Sequence, residues 1–99
     1  MNNYTWFDTI NSIIDARKTE NPEVSYTARL FSKGLEQIAK KVAEESVEAA
    51  LAALADDEAH FKDECADLLF HFMVLLNKKN VPLADVLTVL EKRHERKKQ

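Results

Sequence analysis

The chemistry-bearing feature of this sequence is a set of carboxylates, Glu45-x-x-Glu48 and Glu64-x-x-Asp67, in two stretches that read as helix. Residues three or four apart share a helix face, so each pair points one way. A polar break, Asp56-Asp57, separates the two stretches. Folding them back antiparallel about residue 56 sets Glu48 opposite Glu64 and Glu45 opposite Asp67. Four converging carboxylates repel one another, and a divalent cation is the simplest group that holds them together. An all-oxygen ligand set suits Mg²⁺, Mn²⁺ or Ca²⁺, whereas zinc draws on Cys or His. Mg²⁺ keeps several waters and bridges protein carboxylates to substrate phosphates. The spacing therefore predicts a phosphate-bearing substrate and a water made nucleophilic by the metal. No Gly-rich phosphate loop is present, so further phosphate contacts must come from Lys or Arg.

An E-x-x-E string on a helix is ordinarily a solvated face. Three features argue for more here. Glu44 and Glu48 are a like-charged i,i+4 pair, which weakens a helix. Lys40 and Lys41 precede Glu44 and Glu45 by four residues, the less favourable order for helix ion pairs. Glu64 and Asp67 border an apolar run, Leu68 to Leu76, where uncompensated charge is expensive.

Five helices must position these groups, and no strand pattern appears. The first spans about Thr5 to Thr19, with Thr5 as N-cap and Trp6, Ile10, Ile13 and Ile14 at helical spacing. Asn21-Pro22 closes it. Ser25 to Lys33 is a short second helix, and Gly34 suits the corner that follows. The third runs from about Leu35 to Leu54, and Asp57 caps a fourth that reaches Asn77 or Lys78. Pro82 fits the first position of a fifth, which dissolves into a charged tail from His94 to Gln99. The fourth helix is apolar on every side between Leu68 and Leu76, the pattern of a helix buried all round. One short chain can hardly enclose it, so a homodimer is expected, its second subunit completing a bundle around the central hairpin.

At 99 residues the sequence is expected to form a single domain. A net charge of −3 argues against a nucleic-acid partner. The lone Cys65 excludes an internal disulfide and favours a reducing cytoplasm. The longest apolar run is too short to span a bilayer, and no signal-like segment opens the chain.

Three strings together carry a resemblance. They are Ser25-Tyr26-Thr27-Ala28-Arg29-Leu30, Lys41-Val42-x-Glu44-Glu45-x-x-Glu48, and Glu64-x-x-Asp67-Leu68-Leu69-x-His71. In this order the sequence resembles the phosphoribosyl-ATP pyrophosphatases, within the all-α MazG-type nucleotide pyrophosphohydrolases, over about Trp6 to Arg93. The acidic motif alone marks the superfamily; the other strings narrow it. Ala43 departs from a frequent Gly and Phe70 from a frequent Tyr. The resemblance implies Mg²⁺-dependent hydrolysis of phosphoribosyl-ATP to phosphoribosyl-AMP and pyrophosphate, the second step of histidine biosynthesis, by a cytoplasmic homodimer without a fused cyclohydrolase. It implies Glu45, Glu48, Glu64 and Asp67 as metal ligands, with Mn²⁺ a possible substitute metal. Glu44 would be a fifth carboxylate, a ligand in a second metal site or a base, so Glu44 and Glu45 are the catalytic candidates. Tyr26, Arg29, Lys33, Lys41 and His71 are candidates to bind the nucleotide substrate. His71 otherwise reads as a core histidine hydrogen-bonded near Asp67, and Ser25 as an N-cap alone. Two other readings compete: a MazG-type hydrolase of non-standard nucleoside triphosphates, and a non-catalytic helical dimerisation module.

Overall fold

The computed structural model describes residues 3–97. A 3₁₀ turn, Asn3–Thr5, leads into five helices: α1 (Trp6–Arg17), α2 (Tyr26–Lys33), α3 (Leu35–Ala52), α4 (Glu58–Lys78) and α5 (Leu83–Lys97). The described residues contain no strand.

Local chemistry sets most of these boundaries. Ser25 has extended backbone angles and its hydroxyl accepts from the Ala28 amide, satisfying one of the orphan donors of α2. Asp57 does the same for α4 by accepting from the His60 amide. Between α1 and α2, the Asn21 side chain accepts from the Glu23 amide, and the Asn21 carbonyl accepts from the Val24 and Ser25 amides. That Asx turn reverses the chain. Gly34 joins α2 to α3 at φ 92° and ψ 177°, a conformation that only glycine adopts without strain.

Several ends differ from the sequence-based expectation: α1 stops at Arg17 rather than Thr19, and α3 at Ala52 rather than Leu54. Thr5 stands at the N-cap position of α1, as expected, but with helical backbone angles and no side-chain capping bond. α5 does not dissolve at His94; it stays helical to Lys97, as its Glu, Lys and Arg content allows. The last two residues of the expected tail, Lys98 and Gln99, lie outside the described residues. α5 begins at Leu83, one residue after the position expected from Pro82.

α3 and α4 form the antiparallel hairpin predicted from the break at Asp56-Asp57, and they are the most extensively packed pair. α2 lies on α3 and α1 on α4. The core joins Ile14, Leu30, Ile38, Met73 and Val74, with Phe7, Ile10, Phe31, Phe70 and Leu75 packed around it. A second tie between α1 and α4 is polar. Asn77 donates to Asp15 at 2.8 Å, and Lys18 donates to Asn77 at 3.1 Å while pairing with Asp15 at 3.0 Å.

α4 is not enclosed within one chain. Met73 and Val74 are buried, but Leu68, Phe70 and Phe72 are only half-buried and Leu69 is exposed. Val47 on α3 keeps 58% of its surface exposed, and Leu54, just past the end of α3, keeps 84%. α5 buries none of its residues.

Candidate active site

The hairpin brings Glu45, Glu48 and Glu64 together, each offering a carboxylate oxygen within 4.8 Å of the others. Glu45 is buried, Glu64 half-buried and Glu48 exposed, so the group opens toward solvent on the Glu48 side. Two oxygens, Glu45 Oε2 and Glu64 Oε2, are buried with no hydrogen-bond partner. Buried polar atoms are normally satisfied, and ionised carboxylates cannot satisfy one another because neither carries a proton. The strain shows at Glu48, whose pKa is pushed above its ordinary 4.5 by Glu45 beside it, then by desolvation and Glu64. A shared proton or a bound cation relieves such an arrangement. Two orphaned, inward-facing oxygens in an all-oxygen donor set fit a hard divalent cation.

Asp67 stands outside this 4.8 Å group, exposed on α4. Glu64 reaches between Glu45 and Glu48, whereas Asp67, one methylene shorter, sits about one turn further along α4. Its charge is nonetheless felt at Tyr26, as is that of Glu45.

Lys41 ties α3 to itself beside the carboxylates. Its ammonium lies 3.3 Å from Glu45 and 3.7 Å from Glu44. Desolvation is the largest single effect and opposes that charge, but Glu45, Tyr26 and Glu44 together outweigh it and the pKa is raised, so Lys41 stays protonated. These pairs form despite their unfavourable order along the helix, and they leave Glu45 with one paired and one unpaired oxygen.

Folding back about residue 56 also sets Lys41 opposite His71, but His71 takes different partners. Its Nδ1 lies 2.7 Å from the Asp67 carbonyl oxygen, and its Nε2 lies 2.6 Å from the Tyr26 hydroxyl. A carbonyl only accepts, so Nδ1 carries the proton; in the neutral ring Nε2 accepts and Tyr26 donates. His71 is buried, with the Tyr26 and Phe70 rings meeting it edge-on. The histidine thus behaves as a core residue hydrogen-bonded at Asp67, and it also fixes Tyr26. Burial raises the Tyr26 pKa, keeping the phenol protonated. The pairing spans 45 residues, and no periodicity in the sequence announces it.

Tyr26, Arg29, Lys33, Gln37, Lys41 and Glu44 line a polar cavity of about 280 Å³. Arg29 is partly committed, because its guanidinium donates to the Pro22 carbonyl at 2.9 Å and lies over the Tyr26 ring. The cavity therefore gathers four of the five candidate substrate-binding residues, and His71 supports it through Tyr26.

The chain matches the family model described as Phosphoribosyl-ATP pyrophosphohydrolase over residues 7–94. A phosphoribosyl-ATP pyrophosphatase of Rhizorhabdus wittichii is 50% identical over 86 residues, covering 87% of this chain and 81% of the relative. A protein of the same name from Pyrobaculum arsenaticum is 47% identical over 88 residues, covering 89% of this chain and 94% of the relative. The histidine biosynthesis bifunctional protein HisIE of Halalkalibacterium halodurans is 45% identical over 91 residues, which cover 92% of this chain but 43% of that longer protein. With the match spanning both arms of the hairpin and every candidate site residue, the chain belongs to the phosphoribosyl-ATP pyrophosphohydrolase family.

Proposed function

We propose that the protein hydrolyses phosphoribosyl-ATP to phosphoribosyl-AMP and pyrophosphate, the second step of histidine biosynthesis, and that it does so with Mg²⁺. The observation that carries the metal is the convergence of Glu45, Glu48 and Glu64 with two buried oxygens left unpaired. These three would hold the cation, with Asp67 joining from the neighbouring turn of α4. When bound, Mg²⁺ neutralises phosphate charge and acidifies a coordinated water.

The chain's own residues supply the remainder. Lys41, held protonated, and Lys33 place positive charge in the cavity beside the carboxylates, where a polyphosphate chain is drawn in. Glu44 lines that cavity and is exposed, so it can reach a water at the attacked phosphorus and accept its proton. Glu45 is fixed by Lys41 on one oxygen and turns the other inward. Tyr26 closes the cavity, its hydroxyl oriented by His71.

The working molecule in this reading is a cytoplasmic homodimer. The exposed apolar surface of α3 and α4 supports a second copy: Val42, Cys65, Leu68, Leu69 and Phe72 line an open groove of about 440 Å³ between the two helices.

Pyrophosphate release from phosphoribosyl-ATP with Mg²⁺, run beside ATP and a panel of deoxynucleoside triphosphates, tests the reading. Release from phosphoribosyl-ATP alone is expected. Turnover of the panel in its place would move the protein to the hydrolases of non-standard nucleotides. No turnover of any substrate by folded, metal-loaded protein would leave a dimerisation module.

A further inference from the structure

A second cavity, of about 470 Å³, adjoins the first at Tyr26, which lines both. It lies between the end of α1, the turn before α2, and Phe70 of α4. Ile13, Val24 and Phe70 give it apolar walls, and Arg17 and Glu20 stand on it as its two charged groups. Neither charged side chain has an ion-pair or hydrogen-bond partner among the described residues.

We propose that this cavity is the subsite for the phosphoribosyl arm of the substrate, with Arg17 on its 5-phosphate and Glu20 on the ribose hydroxyls. The proposal rests on the phosphoribosyl-ATP reading and assigns its second half. That substrate carries phosphate at two ends, a triphosphate on one ribose and a monophosphate on the other. The triphosphate must reach the carboxylates through the cavity of Lys33 and Lys41. The monophosphate must then lie elsewhere, and Arg17 is the cation available on the far side of Tyr26. A guanidinium presents paired N–H donors to phosphate oxygens, and a carboxylate accepts from sugar hydroxyls. Tyr26 suits the boundary. Its proton is committed to His71 in the neutral pair, so it offers lone pairs and accepts from a hydroxyl or amine, leaving the phosphates to the cations on either side.

The test uses ribose 5-phosphate as probe, with binding followed through the backbone amide signals of the whole protein, and inorganic pyrophosphate as the comparison. In the native protein ribose 5-phosphate should shift the amides around Glu20, Val24 and Thr27. Arg17→Ala should weaken that binding about tenfold or more and leave the pyrophosphate response, with Mg²⁺ present, unchanged. Arg93→Ala, which removes a cation from α5, should change neither. In turnover, Arg17→Ala should raise KM for phosphoribosyl-ATP about tenfold or more with kcat within a few-fold, and Glu20→Gln should raise it less. Binding of ribose 5-phosphate that is absent, unaffected by Arg17→Ala, or centred on Lys33 and Lys41 would overturn the subsite. Failure of the native protein to turn over phosphoribosyl-ATP would overturn the functional reading instead, and the turnover assay reads that separately.

Discussion

At the scale of single residues, the site is a conflict between charges that a bound cation would resolve. Glu45, Glu48 and Glu64 are brought together by folding against their own repulsion, and Glu48 carries the clearest mark of it in its raised pKa. Mg²⁺ should therefore stabilise the native protein by binding it and not the unfolded chain. At a hundredfold excess over its dissociation constant, the melting temperature should rise by roughly 10 °C. Glu48→Gln should cancel the rise and lower kcat by about a hundredfold or more. In the absence of metal the same variant should melt no lower than the native protein, because one repelling charge is gone. A variant that kept the Mg²⁺-dependent rise in a melting series would remove Glu48 from the metal site. These carboxylates were legible because helical spacing and one chain reversal fix their positions from sequence alone. The Tyr26–His71 bond was not legible. It depends on how α2 is laid across the hairpin, and that packing follows from tertiary contacts rather than from any local pattern.

At the scale of elements, two connections decide how the flanking helices present their side chains to the hairpin. Gly34 sets the corner between α2, which carries Tyr26, Arg29 and Lys33, and α3, which carries Lys41 and Glu44. Nothing lies within 4 Å of where a Cβ would sit, so the requirement for glycine is conformational and not steric. Gly34→Ala should destabilise the fold by about 1–3 kcal/mol, measured by chemical denaturation. A cost near zero would show that the corner relaxes into an ordinary conformation.

The polar tie between α1 and α4 makes a prediction of a different kind. Asn77 and then Lys18, both donating to Asp15, hold its pKa below the ordinary 3.8. A carboxyl lowered in the folded state stabilises it above the unfolded value, and that stability is lost as pH falls through the folded value. Asp15→Asn should therefore be slightly less stable than the native protein at neutral pH, since the group is exposed and screened. The difference should close in acid, below pH 3.8, in a series of denaturation midpoints. A gap independent of pH would mean that the ionised form of Asp15 is not what matters. The sequence showed the order and ends of these helices through Ser25, Gly34 and Asp57. It did not show Asn77 as a partner of Asp15, because one polar residue at the end of an apolar helix looks like a terminus.

At the scale of the whole molecule, the apolar surface exceeds what one chain covers. Ala43, Val47 and Ala50 follow helical spacing along the outward side of α3, Leu54 stands just past its end, and all four are exposed. Small residues between larger ones allow another helix to approach closely, and the adjoining groove continues the apolar surface onto α4 through Leu69 and Phe72. Monomeric proteins seldom present so continuous a patch. The all-round apolar character of α4 was legible in the sequence, and its incomplete burial within one chain is the same fact seen in three dimensions. Sedimentation should accordingly give twice the 11.3 kDa chain mass at micromolar concentration, and the melting temperature should climb with protein concentration, as mass action requires of an assembled fold. Leu69→Lys and Ala50→Lys place a charge on this surface without adding a carboxylate near the acidic group. Each should shift the protein to the monomer and abolish the concentration dependence. Loss of turnover in those monomers, with helicity retained, would show that the hairpin needs its partner to work. A native protein that sediments as a monomer, or lysine variants that still sediment as dimers, would place the assembly surface elsewhere.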